Sequence, residues 1–216
     1  MLEYSFGSPR TDLKSIQFLS GLIRIPFGRY EGTIHTSDSK LYLQSVIDRL
    51  NKSIYGHQSA KRHILRIVAD SLNRDSDRQK KQQTILGICG PKGNGKTTLI
   101  KKGLSQCFRN KENNPRKTFF ISLGGSSQGS MLKGHDPAYV GSSWGLIAEA
   151  LIKSECMDPI IAFDELDKLS KTEYGREISN ILIQITDTTQ NDLFEDRFFS
   201  GVVLDLSRAI IVFSFN

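Results

Sequence analysis

At 216 residues and 24.2 kDa the chain can bury one sizeable core, or one domain with an appendage, but not two full domains. Its 29 basic and 23 acidic residues leave a net charge of +6; because they are scattered along the chain, a nucleic-acid partner stays open without being favoured. Cys89, Cys107 and Cys156 form no Cys-x-x-Cys pair and have no histidine at ligand spacing, which argues against a disulfide framework or a zinc centre and for reduced, intracellular packing.

The opening MLEYSFGSPRTDLK lacks the apolar core of a leader, and nowhere does the chain carry the roughly 18 apolar residues that a membrane helix requires. A soluble, cytoplasmic protein without a membrane partner is expected, an organelle matrix being left open. Residues 1–38 mix apolar clusters such as IQFLSGLIRIPFGRY with Gly, Ser and Pro, which predicts a short helix and an extended arm rather than an independent domain. From Lys40 the spacing of Leu41, Val46, Ile47 and Leu50 marks one helical face, and Ala60, Ile64, Leu65, Ile67, Val68 and Leu72 mark the next. NRDSDRQKKQQ, residues 73–83, is polar throughout and reads as a solvated connection, its basic run Arg78 to Lys81 included. Beyond it, apolar runs of strand length lie at 84–89, 118–123, 159–163 and 209–215, with helical patterns at 97–108, 142–155 and 176–186 between them. Apolar strands without polar alternation, interleaved with helices, predict an α/β fold over residues 39–216: a mostly parallel sheet covered on both faces.

The chemistry concentrates in GPKGNGKTT, residues 90–98. Gly90, Gly95, Lys96 and Thr97 have the spacing G-x-x-x-x-G-K-S/T, after a predicted buried strand and at the start of a predicted helix. Glycines let successive backbone N–H groups turn inward onto phosphate oxygens, and the helix start adds the positive end of its dipole. Gly90, Pro91, Lys92, Gly93, Asn94, Gly95, Lys96, Thr97 and Thr98 are therefore expected to cradle ATP. Within the loop Lys96 would reach the β- and γ-phosphates and the Thr97 hydroxyl would ligate Mg²⁺, while Lys92 and Asn94 occupy variable positions. IIAFDELDK then supplies two carboxylates at the end of an apolar strand: Asp164 for the Mg²⁺ shell and Glu165 as general base for water. Asn216, at the tip of AIIVFSFN, is the candidate for a catalytic polar group that senses the γ-phosphate; an asparagine there could also be a simple turn former.

These residues in this order resemble the core of an AAA+ ATPase, a P-loop NTPase, and the stretches between them are more specific. FISLGGSSQGSMLKGHDPAYVGSSWGLIAEAL is similar to the region between the Walker motifs of Lon-type ATP-dependent proteases, which runs from an ISLGG strand through a Gly-His pair to a Tyr-aliphatic-Gly-Ser loop. FLSGLIRIPFGRY resembles the segment preceding the Lon ATPase and IYGHQSAKRHILRIVA its next helix; the stretch from DELDK to DRFF follows its Walker B, loop, helix and short acidic-aromatic hairpin. The resemblance covers residues 11–216 and concerns the ATPase module only. By position it implies that Gly90, Gly95, Lys96 and Thr97 are Walker A, Asp164 and Glu165 Walker B, and Asn216 sensor 1. It also implies that Tyr55 and Gly56 border the adenine, and that Tyr139 and Val140 form a pore loop gripping extended polypeptide, with 170–175 as a second loop. Taken from the residues alone, Tyr139 could also be a partly buried tyrosine. ATP and Mg²⁺ as cofactors, a homo-oligomeric ring with six subunits, and unfolded protein substrates follow from the resemblance.

Several positions depart from the family. Lys92 replaces a second proline, Asn94 an aliphatic residue and Phe27 a tryptophan, and none of these removes a phosphate donor. The family's arginine fingers, helical lid and serine-lysine protease domain follow sensor 1, where this sequence ends, so a gene fragment that does not itself cut peptide bonds is expected. Two rivals remain: a stand-alone AAA+ ATPase acting on nucleic acid or on complex assembly, and a nucleotide-binding module without turnover. His35, His57, His63 and His135 read as surface or supporting residues, and Trp144 as a helix-packing residue.

Overall fold

The computed structural model describes residues 9–32, 38–74, 83–110, 112–125 and 128–216; His35 and the run Arg78 to Lys81 lie outside these. Three helices come first: α1 (Pro9–Arg24), α2 (Ser39–Ser53) and α3 (Gln58–Arg74). Asp38 starts α2 by accepting a hydrogen bond from the Leu41 N–H at 3.0 Å, which satisfies one of the helix's orphan donors. The sheet strands are β1 (Thr84–Cys89), β2 (Thr118–Ser122), β3 (Ile160–Asp164) and β6 (Ile210–Phe215), each within a residue of its predicted bounds. Between them run α4 (Lys96–Thr98), a π-helical turn (Leu99–Leu104) and α5 (Ser105–Cys107), then α6 (Ser130–Lys133), α7 (Leu146–Ser154) and α8 (Glu173–Thr186). A two-stranded antiparallel ribbon, β4 (Phe194–Glu195) with β5 (Val203–Leu204), occupies the predicted acidic-aromatic hairpin.

The sheet order is β1-β6-β3-β2 and every pairing is parallel. Because side chains alternate across a strand, Leu86, Ile160, Ala162, Ile210 and Val212 pack with Val46, Leu50, Ile64 and Val68 of α2 and α3 on one face. Ile121, Ile161, Phe163 and Ile211 pack with α7, α8 and the hairpin on the other. With both faces covered, no strand position favours a polar residue, which is why the strands read as unbroken apolar runs. Parallel pairing also brings the carboxyl ends of β1, β6 and β3 to one edge side by side.

Two helix starts differ from expectation. The helix predicted from 142 begins at Leu146, because the N–H of its N-cap Gly145 is taken by the buried Asp196 carboxylate at 2.8 Å. Trp144 is thus a loop residue, its ring stacked on Phe199 at 5.7 Å and its N–H donated to Glu149. The helix predicted from 176 begins at Glu173, drawing in half of the proposed second loop; a Cβ on Gly175 would stand 1.7 Å from the Ser170 carbonyl oxygen, so this close turn requires glycine.

The arm is not free. Phe18, Leu22 and Ile25 pack into the same core as α7 and α8. Beyond them the Glu31 and Gly32 N–H groups both donate to the Asp158 carboxylate at 2.9 Å, and Asp158 is paired with Arg116 at 3.1 Å, both side chains being 4% exposed.

Candidate functional site

The loop 90–98 leaves β1 and enters α4 through two left-handed glycines, Gly93 and Gly95, each at φ +78°. Gly95 is the N-cap and offers no side chain to the helix start, so the first N–H groups there have no side-chain cap. The loop walls a cavity of about 440 Å³, together with Asp164, Glu165, Asp167, Phe215 and Asn216. Three adjacent strand tips therefore supply a glycine loop, a carboxylate pair and an amide to one concavity.

Polar contacts inside it are specific. Lys96 Nζ donates to the Gly90 carbonyl, to the Pro91 carbonyl at 3.1 Å and to Asn216 Oδ1 at 2.9 Å. An ammonium collecting oxygen acceptors in an uncapped glycine loop fits a phosphate group, whose oxygens would compete for the same donors. Asp164 Oδ1 accepts the Glu165 N–H at 2.9 Å, and Glu165 itself is left-handed, at φ +62°. Its carboxylate pairs with Lys168 and lies 3.4 Å from Ser122 Oγ. A Cβ on Gly124 would stand 1.9 Å from Glu165 Oε2, so glycine there makes room for the carboxylate.

Sequence reasoning passed over three members of this constellation. Asp167 Oδ1 accepts the backbone N–H of Asn216 at 3.2 Å and Oδ2 its side-chain amide at 3.0 Å; that amide holds the Asp167 carboxyl below its ordinary range. Lys168, kept charged chiefly by its bond to Glu165, and Ser122 complete the set. DELDK carried the signal, since Glu165 and Lys168 are three apart and meet across a short 3-10 turn (Leu166–Lys168).

The residues expected at the adenine and on the pore loop do not line this cavity. Tyr55 is 98% exposed and Gly56 left-handed; neither lines the cavity, whereas their neighbour Ile54 lies against Gly95. Tyr139 and Val140 stand on the loop 134–145, 67% and 93% exposed, and are not among the residues lining the cavity. Among the described residues no group of histidine, cysteine and acidic side chains is arranged to hold a metal by itself, and no helix is long and apolar enough to cross a membrane.

The profile of the AAA family, ATPases associated with various cellular activities, matches residues 86–213. The chain is 37% identical over 180 residues to a Lon protease homolog of Acanthamoeba polyphaga mimivirus, covering 82% of this chain and 16% of the relative. It is 32% identical over 199 residues to the human mitochondrial Lon protease homolog and 29% over 206 residues to the Helicobacter pylori Lon protease, covering 92% of this chain in each case. The chain spans only 16 to 23% of the length of these relatives.

Proposed function

The chain belongs to the AAA family of ATPases, as a module of the Lon type, and from that premise we propose that it binds ATP with Mg²⁺ at the edge shared by β1, β6 and β3 and hydrolyses it there. The observation that carries this is the contact of Lys96 with Asn216 and of Asn216 with Asp167, three motifs far apart in sequence joined in one cavity. Lys96 would exchange the Gly90 and Pro91 carbonyls for β- and γ-phosphate oxygens, while the N–H groups of residues 92–98 hold the rest of the triphosphate. Thr97 and Asp164 would hold Mg²⁺, which when bound neutralises phosphate charge. Glu165, once it leaves Lys168, takes the proton from the attacking water, and Asn216 senses the γ-phosphate from the tip of the neighbouring strand. Tyr55 and Gly56 would border the adenine.

The output of this turnover is the movement of unfolded polypeptide. Tyr139 and Val140 suit that task because an exposed aromatic-aliphatic pair meets any side chain by packing and reads no sequence. We place residues 39–216 as the large ATPase subdomain, residues 1–38 as its arm, and the working form as a six-membered ring feeding a serine protease domain joined to it. Glu165→Gln tests the core of the reading. Bound ATP should persist while the turnover rate falls about 100-fold or more; equal turnover in both proteins would remove Glu165 from the chemistry, and negligible turnover in both would leave a nucleotide-binding module only.

A further inference from the structure

The loop 134–145 is gripped from two sides. On the inside, the Asp196 side chain is wholly buried and accepts the Gly145 N–H at 2.8 Å and the Phe198 N–H at 2.9 Å. A Cβ on Gly134 would lie 2.5 Å from Asp196 Oδ1, so both feet of the loop close on one carboxylate. Just above, the His135 N–H donates to the Ser143 carbonyl at 3.0 Å and narrows the neck.

On the outside stands α1. Lys14 Nζ donates to the Ala138 carbonyl at 2.8 Å, and Gln17 Nε2 to the Ser142 carbonyl at 3.4 Å. One turn further, Gly21 is pressed against the loop's foot: a Cβ there would stand 2.8 Å from both the Trp144 and Phe199 rings. Phe18 meets Phe199 edge-on at 5.7 Å, and Trp144 stacks on the same ring. One helix face thus touches the loop near its tip, on its returning limb and at its foot, and leaves Tyr139 and Val140 exposed. A loop that must press on a passing chain does so better the less freedom it loses on contact, and contacts at three heights remove that freedom beforehand.

We propose that α1 is a brace for this loop, with Lys14 and Gln17 as positioning residues for the polypeptide contact made by Tyr139 and Val140. Stiffness of the grip is set from the segment preceding the ATPase, not from the nucleotide cleft. The inference rests on the reading of 134–145 as a polypeptide-contacting loop, and its test separates the two.

Amide hydrogen exchange on the 216-residue chain decides the brace. In Lys14→Ala/Gln17→Ala, the amides of residues 135–145 should exchange about five- to tenfold faster, with the strands and residues 90–98 unchanged. Lys14→Arg, which keeps a donor, should restore most of the protection. Unchanged exchange in the loop, or acceleration spread over the whole core, overturns the proposal. In parallel, ATP turnover is measured with and without an unfolded polypeptide, reduced and carboxymethylated lactalbumin. The double variant should require several-fold more polypeptide for half-maximal stimulation while basal turnover and ATP affinity stay unchanged; an unchanged requirement also counts against the brace. If the parent chain neither binds this polypeptide nor responds to it, the polypeptide-contact reading fails, while the exchange result still decides whether α1 holds the loop.

Discussion

At the carboxyl ends of β1, β3 and β6 the charged groups lie at the surface and are tied to one another by contacts that can be exchanged. Lys96 holds two carbonyls and an amide oxygen, Glu165 holds Lys168, and Asp167 holds Asn216. At the opposite edge of the sheet, just before β2 and β3, Arg116 and Asp158 are almost sealed from solvent, and Asp158 also accepts the Glu31 and Gly32 N–H groups. A group that must change partners during turnover stays close to water, where leaving a partner costs little. A group that only fastens can be buried, where losing a partner costs much.

The sharpest way to break this contrast is at the buried end. Asp158→Ala would leave the Arg116 guanidinium buried without its carboxylate and two N–H groups of the arm without acceptors. A loss of about 3 to 5 kcal/mol in unfolding free energy is expected, read from the urea midpoint. Replacing both members, Arg116→Met with Asp158→Leu, should recover a good part of it, because the uncompensated charge is gone. If Asp158→Ala shifted the midpoint no more than a surface change, the two ends would not differ in kind.

The same contrast explains what could be read from the sequence. The exposed end is built from local spacing: G-x-x-x-x-G-K-T fixes a backbone path and a donor set within a single loop, and β3 announces Asp164 and Glu165 by its apolar run. The alternation of strands and helices revealed the sheet for a similar reason, since two covered faces leave a continuous apolar signal. Asp158 was invisible because its partners lie 42 residues before it on β2's approach and 126 residues before it in the arm. Nothing in SECMDPII distinguishes that aspartate from a turn former. The start of α7 was missed on the same grounds: Gly145 is a helix boundary only because Asp196, 51 residues on, takes its N–H. Asp167 lay inside a quoted motif, but its partner Asn216 is reached only through the strand order.

Asp196 offers an intermediate case, buried like Asp158 but held by backbone N–H groups where Asp158 has a guanidinium. Burial pushes its carboxyl up to about 6, against the pull of the Gly145, Phe198 and Phe199 N–H groups and of Lys133. The folded chain thus holds this proton more tightly than the unfolded chain, in which the value is near 3.8. Between those values the folded state carries the extra proton, so stability from this group falls as pH rises. The cost is absent below about pH 4 and complete above about pH 6; at about 1.4 kcal/mol for each tenfold change in proton affinity it amounts to about 2 to 3 kcal/mol. Asp196→Asn cannot ionise, so the stability of the parent relative to that variant should decline by this amount from about pH 4 to about pH 7. A difference that stays constant across the range would mean that the carboxylate is as well solvated folded as unfolded.

The smallest expected effect on stability lies at the exposed end and is the most specific. Asp167→Ala removes two of the bonds that hold Asn216 and leaves the one from Lys96, and its contacts face water, so the urea midpoint should hardly move. Turnover should respond instead. Held by Lys96 alone, the Asn216 side chain would turn less often toward the proposed γ-phosphate position, and loss of one oriented hydrogen bond corresponds to about a fivefold fall in kcat, with KM for ATP little changed. Because Asp167 acts through Asn216, combining Asp167→Ala with Asn216→Ala should cost no more than Asn216→Ala alone. Additive losses would show that Asp167 works independently of the strand tip it holds, and would erase the distinction between exchangeable and fastening charges.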